Sequence, residues 1–288
     1  MSQVEIARLV LRLLKIESLY TIAIDRTEWQ LGKVWVNVLM LSVAYKGISI
    51  PLFWTVSDEK GCSDNLERKE ILQKFIDEFG AESIRFLTAD REFASKEWLK
   101  YLVEKKIPYR LRIKANHQMT NRRGKLIKAS KLCRTLKIGE RIEFLGRRAL
   151  WNQAVYVAVC RKEDGDHVIV ISSERSGKIL IEYGERWKIE TLFGILKTRG
   201  FRLEDTHITE TDRISKLLSL LTIAVSWAIL AGELENQVTR LKTKKHGNLE
   251  KSVFRLGFDT LRNCFCQLTT NIRQKQRFKQ LTLLLSCI

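Results

Sequence analysis

Tyr183 is followed by Arg186, Glu190 and Lys197 at offsets of three, seven and fourteen residues, within the stretch YGERWKIETLFGILKTRG. On a helix turning about 100° per residue, these offsets bring all four side chains within roughly 60° of arc. One face then carries a carboxylate between two cations and a phenol. The carboxylate can ligate a hard cation while Arg and Lys neutralise neighbouring phosphate oxygens, so the face suits a metal-bound phosphodiester. Ile189, Leu192, Phe193 and Leu196 fill the adjoining arc and provide an apolar side to pack against a core.

Two more carboxylates stand where a sheet can present them. SLYTIAID reads as a buried strand ending at Asp25, and SIRFLTAD as a short strand ending at Asp90. The C-terminal ends of strands in an α/β sheet line its crevice, so both acids can converge there. Two strand-end aspartates and a helix glutamate are enough oxygen donors for two Mg²⁺ ions roughly 4 Å apart. Taken singly, an Asp after a strand as readily begins a turn or caps a helix, and a helix Glu as readily faces solvent. Arg26, Arg91 and Glu92 also offer the aspartates structural ion pairs. Only the combination points to chemistry. Three clustered carboxylates repel one another and are expected to titrate high until a divalent ion binds.

The elements that must position these groups follow from periodicity. KVWVNVLMLSVAY and ISIPLFWTVSD read as strands completing an antiparallel meander with SLYTIAID, a helix is expected from Asn65 to Phe79, SKEWLKYLVEKK is a second helix and PYRLRI a further strand. Alternating strands and helices imply an α/β sheet with parallel members. Between Lys114 and Glu174 the runs RIEFLG, ALWNQAVYVAVC and HVIVISS read as an all-β insertion. The Glu190 helix follows, then a long apolar helix from about Asp212 to Leu234 and a helical tail.

A formal charge of +18, from 51 Lys and Arg against 33 Asp and Glu, favours a polyanionic partner, with nucleic acid the leading candidate. Residues 105–150 hold 15 of the cations and only Glu140 and Glu143 as acids. The six cysteines, at 62, 133, 160, 264, 266 and 287, lack paired spacing for zinc and read as reduced thiols. His117, His167, His207 and His246 show no metal spacing either. No signal peptide is visible, and the apolar run from Leu217 to Gly232 is 16 residues, shorter than the roughly 20 that span a bilayer. A cytoplasmic protein without a membrane partner is expected.

IAIDRT, FLTADREF and the Tyr-Arg-Glu-Lys spacing resemble the DDE transposases of bacterial insertion sequences, in the IS-four branch with its YREK signature; TRGFRLEDTHIT, with Thr206 and His207, adds to the likeness. The resemblance runs from about Thr21 to the end. It implies an RNase H-like catalytic core interrupted by a β-rich insertion, with a helical C-terminal region. Asp25, Asp90 and Glu190 would then be the catalytic and metal-binding triad, with Mg²⁺ as cofactor and Mn²⁺ as substitute. Tyr183, Arg186 and Lys197 would contact transposon-end DNA near the cleaved phosphate, with His207 beside them. The chemistry implied is hydrolysis at element ends followed by attack of the freed 3′ hydroxyl on target DNA. The partners would be double-stranded DNA, at transposon ends and target, and a second copy of the chain in a synaptic complex. The location would be the prokaryotic cytoplasm, on the nucleoid.

The basic segment, with Arg122 and Arg123 at its centre, acquires a role along the DNA backbone, and Trp151 is a candidate to stack on a displaced base. The domain reading is residues 1–20 as a short helix, 21–113 and 177–240 as the two parts of the core, 114–176 as the insertion and 241–288 as the tail. Relatives carry an end-binding helical domain ahead of the first aspartate. With 24 residues before Asp25, residues 1–20 are read as a remnant of it. The alternatives are a catalytically inactive DNA-binding remnant and a general RNase H-like nuclease.

Overall fold

Strands β1 (Tyr20–Leu31), β2 (Val34–Tyr45) and β3 (Ile48–Ser57) form the expected antiparallel meander, rich in the β-branched and aromatic residues that pack on a pleated surface. The computed structural model describes residues 1–58, 64–244 and 249–286; Cys62, His246 and Cys287 lie outside the described residues. Helix α1 (Gln3–Leu13) precedes the meander, begins in a Ser2/Glu5 capping box and buries Ile6, Ala7, Val10 and Leu11 in the main core.

Helix α2 (Asn65–Phe79), capped by Asp64 and Glu67, leads to β4 (Ile84–Ala89), α3 (Lys96–Glu104) and β5 (Tyr109–Ile113). Strand β4 lies parallel to both β1 and β5. Beyond β5 come β6 (Gln118–Thr120), β7 (Leu126–Lys128), β8 (Arg141–Glu143), β9 (Arg148–Leu150), β10 (Gln153–Arg161) and β11 (His167–Ser172). These do not all stand apart. The main sheet runs β3-β2-β1-β4-β5-β11-β10-β8, so three strands from the expected insertion extend the core sheet beyond β5, each antiparallel to its neighbour. Strands β6 and β7 make a separate hairpin, and β9 pairs with β10.

The run ALWNQAVYVAVC is two strands and not one. Trp151 and Asn152 both have positive φ, 48° and 65°, the conformation of a tight two-residue hairpin turn.

The last part is helical: α4 (Ile179–Gly184), α5 (Trp187–Gly194), a π-helical turn (Ile195–Arg199), a 3₁₀ turn (Leu203–Thr206), then α6 (Thr211–Thr239), α7 (Val253–Cys266) and α8 (Ile272–Ser286). Helix α6 is 29 residues long, longer than its apolar run suggested, and by length and composition alone it is long and apolar enough to cross a membrane. It buries Leu218, Val225, Ala228 and Ile229 in the main core, and Trp54 of β3 donates its indole N–H to Ser215. Cys264 is buried in α7 while Cys266 is exposed, and both are free thiols.

Candidate active site

Alternation along β1 decides where Asp25 points. Tyr20 packs edge-on against Phe75 and Phe79 of α2, so residues of the same parity face that helix, and Thr21, Ala23 and Asp25 face the other side of the sheet. Asp25 is not at the end of its strand as expected, because the antiparallel ladder with β2 carries β1 on to Leu31. It is the parallel ladder with β4 that ends here: Ile24 pairs with Ala89, and the next residues on the two strands are Asp25 and Asp90. The two acids therefore stand side by side where β4 leaves the sheet.

The expected single helix is broken into α4 and α5. Bonds of i→i+3 type, from the Arg186 amide to Tyr183 and from the Ile189 amide to Arg186, tighten the joint between them. Two anchors hold α4. On β5, the buried Arg110 guanidinium donates to Glu182 at 2.6 Å, one residue before Tyr183. On β8, the Glu143 carboxylate accepts from the amides of Gly177 and Ile179 at 2.9 and 3.2 Å, supporting the start of the helix.

With that placement, Arg186 becomes a hub only 5% exposed. Its Nη1 donates to Asp25 Oδ2 at 3.0 Å, its Nη2 to Glu190 Oε1 at 2.7 Å and its Nε to the Tyr183 hydroxyl at 3.0 Å. The Tyr183 hydroxyl donates in turn to Asp90 Oδ1 at 3.2 Å. All three acids are thus tied, directly or through one phenol, to a single guanidinium. Arg112 of β5 adds an ion pair to Asp90 at 3.6 Å and reaches Asp166, in the β10–β11 turn, at 3.1 Å.

Lys197 leaves this face. The π-helical turn adds a residue per hydrogen-bonded ring, which shifts the angular phase of everything after Gly194. Lys197 Nζ instead donates to the Glu28 carbonyl of β1 at 2.8 Å, pairs with Glu204 at 3.0 Å and lies over the Trp29 ring. It braces the helix against β1 three residues beyond Asp25.

Burial pushes the Asp25 carboxyl up to about 6, against the pull of Arg186 and of the Arg26 amide, with Glu92 and Asp90 adding to the rise. Asp90 differs. Burial acts to raise it too, but the Arg91 amide, Arg186, Arg112 and the Tyr183 hydroxyl together hold it below its ordinary value. The expectation that the clustered acids titrate high therefore fails at Asp90, because the Arg91 amide and the charges of Arg186 and Arg112 hold its ionised form. Burial also raises the Tyr183 phenol, which stays protonated and able to donate.

A raised folded-state value means the folded chain binds the Asp25 proton more tightly than the unfolded chain does. That contribution to stability is complete below the unfolded value near 4 and is lost as pH rises through about 6. Asp25→Asn is thus expected to gain on wild type by about 2.5 kcal/mol between pH 4 and pH 7.5, measured by urea unfolding in chelator. An unchanged difference across that range would show that burial does not perturb this carboxyl.

An open cavity of about 880 Å³ lies against Asp90, Tyr183, Arg186 and Glu190. Its lining also includes Arg141, Arg161 and Lys162 of the expected insertion, together with Glu163 and Asp164. Trp187, next to Arg186 and 58% exposed, also lines it. The sequence reading named Trp151 as the stacking aromatic. Trp151 is instead half-buried in its hairpin turn, edge-on to His117 at 4.9 Å between centroids, and outside this cavity's lining.

Arg122 and Arg123 are exposed in the β6–β7 turn, also away from the cavity lining, and His207 is exposed in a left-handed conformation after the 3₁₀ turn. Of the basic segment, Arg112 and Arg141 reach the cavity, whereas Arg110 is spent on Glu174 and Glu182. Arg112 was not singled out from sequence. Its signal was the alternation of Arg with Leu in YRLRI, which puts two charges on one face of an otherwise buried strand.

The donor set fits a hard divalent ion in kind, since three carboxylates from β1, from the end of β4 and from α5 gather round one cation, the guanidinium. In spacing they are arranged for that guanidinium: among the described residues no three Asp, Glu, His or Cys stand grouped closely enough to hold an ion.

No curated protein matches the chain. Among solved structures it is similar to a piggyBac transposase in a synaptic complex with hairpin DNA, determined by cryo-EM, at 11% identity and a TM-score of 0.46, with 94% of this chain covered. The chain spans 59% of that transposase chain. Residues 19–227, from the start of the meander through most of α6, match the family model of the transposase DDE domain, and this chain belongs to that family.

Proposed function

We propose that the chain is a DDE transposase of the IS-four branch, cleaving DNA at insertion-sequence ends and transferring the freed strand into target DNA. The observation that carries this reading is the joining of Asp25, Asp90 and Glu190 through Tyr183 and Arg186 at the edge of one cavity. An RNase H-like core is supported by the order of its strands, an antiparallel β1–β3 meander followed by β4 and β5 parallel to β1. Strands β6 to β11 fall between that core and α4, as an insertion would.

Asp25, Asp90 and Glu190 would hold Mg²⁺ or Mn²⁺, which when bound supplies activation of a water or 3′ hydroxyl and stabilisation of the leaving oxygen. The protein's own groups do the rest. Arg141, Arg161 and Lys162 along the cavity bind backbone phosphates, and Arg186 and the Tyr183 hydroxyl orient the phosphate at the acids. Trp187 presents a ring for an unpaired base at the cavity wall. Lys197 braces the acidic strand, and Arg112 sets the β10–β11 turn against Asp90.

The test is nicking of labelled duplex carrying a candidate transposon end, with Mg²⁺ or Mn²⁺, across a salt series. Metal-dependent nicking confined to the element end is expected; cleavage indifferent to that end would favour a general nuclease. A second reading is an inactive DNA-binding remnant, which the spacing of the acids favours, set round the Arg186 guanidinium with no three of the described ligand residues close enough to share an ion. It predicts salt-sensitive binding with no nicking under either metal.

A further inference from the structure

Arg186 spends its donors on the acids themselves, reaching Asp25 at 3.0 Å, Glu190 at 2.7 Å and, through Tyr183, Asp90. A guanidinium has five N–H donors in a rigid fork and is always charged. Buried to 5% exposure between carboxylates from two elements, it is the cation that the acidic cluster needs when no other is present. A divalent ion ligated by the same oxygens, about 2.1 Å from each, would share its space with this guanidinium. Two like charges so close repel strongly in a buried site, so the two occupancies exclude one another.

We propose that Arg186 is a built-in stand-in for the metal: it closes the acidic site in the DNA-free chain and opens it by turning to a backbone phosphate when DNA enters. This rests on the reading of Asp25, Asp90 and Glu190 as metal ligands. The geometry allows the turn. Arg186 sits at the joint between α4 and α5 and itself lines the 880 Å³ cavity, so a phosphate there lies within reach of its side chain. Phosphate oxygens match the guanidinium fork as carboxylates do, so the exchange replaces one pair of charge-assisted hydrogen bonds by another.

Two consequences follow. DNA and metal bind cooperatively although DNA brings no new acid, and the coupling is reciprocal. Without DNA the site resists loading, which keeps a hydrolytic centre closed until its substrate is present.

The experiment is Mn²⁺ titration read by the electron paramagnetic resonance of the free ion. It compares wild type, Arg186→Gln, Glu190→Gln and the Arg186→Gln/Glu190→Gln double variant, with melting curves to confirm folding. Without DNA, Arg186→Gln is expected to bind Mn²⁺ at least about tenfold more tightly than wild type, since a competing charge is gone, and the gain is expected to vanish in the double variant. Adding a short duplex, corrected for Mn²⁺ bound by the duplex alone, is expected to tighten wild type by a similar factor and Arg186→Gln little.

Equal or weaker binding by Arg186→Gln, with wild-type binding still dependent on Glu190, would overturn the stand-in while leaving the metal site intact. Binding insensitive to Glu190 in every form would sink the metal-site reading, and the stand-in with it. If Arg186→Gln does not fold, Arg186→Lys takes its place: a duplex-induced gain in Mn²⁺ affinity equal to that of wild type overturns the proposal, and a clearly smaller gain supports it.

Discussion

Asp90→Ala is expected to lose metal-dependent nicking of duplex DNA by a factor on the order of a thousand or more, about 4 kcal/mol of transition-state stabilisation, with the fold retained. The size follows from its place. Asp90 is the first residue past β4, side by side with Asp25, and is held by Tyr183, Arg112 and, through charge, Arg186. The fold is expected to tolerate the change because the side chain keeps 27% of its surface exposed, so truncation opens no sealed cavity. Its loss also leaves the Tyr183–Arg186 bond and the Arg186 bonds to Asp25 and Glu190 in place. The measurement is single-turnover nicking of labelled duplex with Mn²⁺, beside DNA binding and melting of the same preparation. A drop smaller than tenfold in a folded, DNA-binding variant would remove Asp90 from the chemistry.

Gly257→Ala is expected to cost about 3 kcal/mol or more, lowering the melting temperature by on the order of 10 °C. Helices α6 and α7 cross where Gly232 and Gly257 meet. A Cβ on Gly257 would stand far inside van der Waals contact distance of the Ala228 carbonyl oxygen, and one on Gly232 far inside that of the Val253 carbonyl oxygen. Both obstacles are backbone, which cannot rotate away as a side chain can. The helices must then separate, and with them the packing of Phe254 and Leu261 into the main core. Helix propensity alone predicts the opposite sign, because Ala is favoured over Gly in a helix by roughly 1 kcal/mol. Thermal and urea unfolding of Gly257→Ala decide between the two. A loss below about 1 kcal/mol would show that the crossing is looser than the backbone contact implies.

The local elements were legible because their signals are local. The meander, α2 and β4 follow from apolar strand runs and helical spacing, each complete within its own segment. The acids were legible for the same reason, as carboxylates closing apolar runs. What failed depends on partners elsewhere in the chain. Strand β1 outran Asp25 because β2 offers it a partner as far as Leu31. ALWNQAVYVAVC hid a hairpin because Trp151 and Asn152 adopt positive φ, unusual for a tryptophan. Sequence alone pointed to Trp151 as a stacking candidate and did not single out Trp187; packing sets Trp151 against His117 and leaves Trp187 at the cavity.

The residue types and offsets of the YREK stretch, and the two aspartates after their apolar runs, are properties of the sequence alone. They fixed the candidate groups, a carboxylate, a phenol and two cations at helical spacing beside two aspartates, because side-chain chemistry and local periodicity require no knowledge of the rest of the chain. Tertiary structure decided how those groups meet. The joint after Gly184 and the π-helical turn after Gly194 change the helical phase, so Arg186 turns into the acids while Lys197 swings to β1. That outcome rests on anchors from β5 and β8, Arg110 and Glu143, which are distant in sequence and come within hydrogen-bonding reach of α4 only once the sheet has formed.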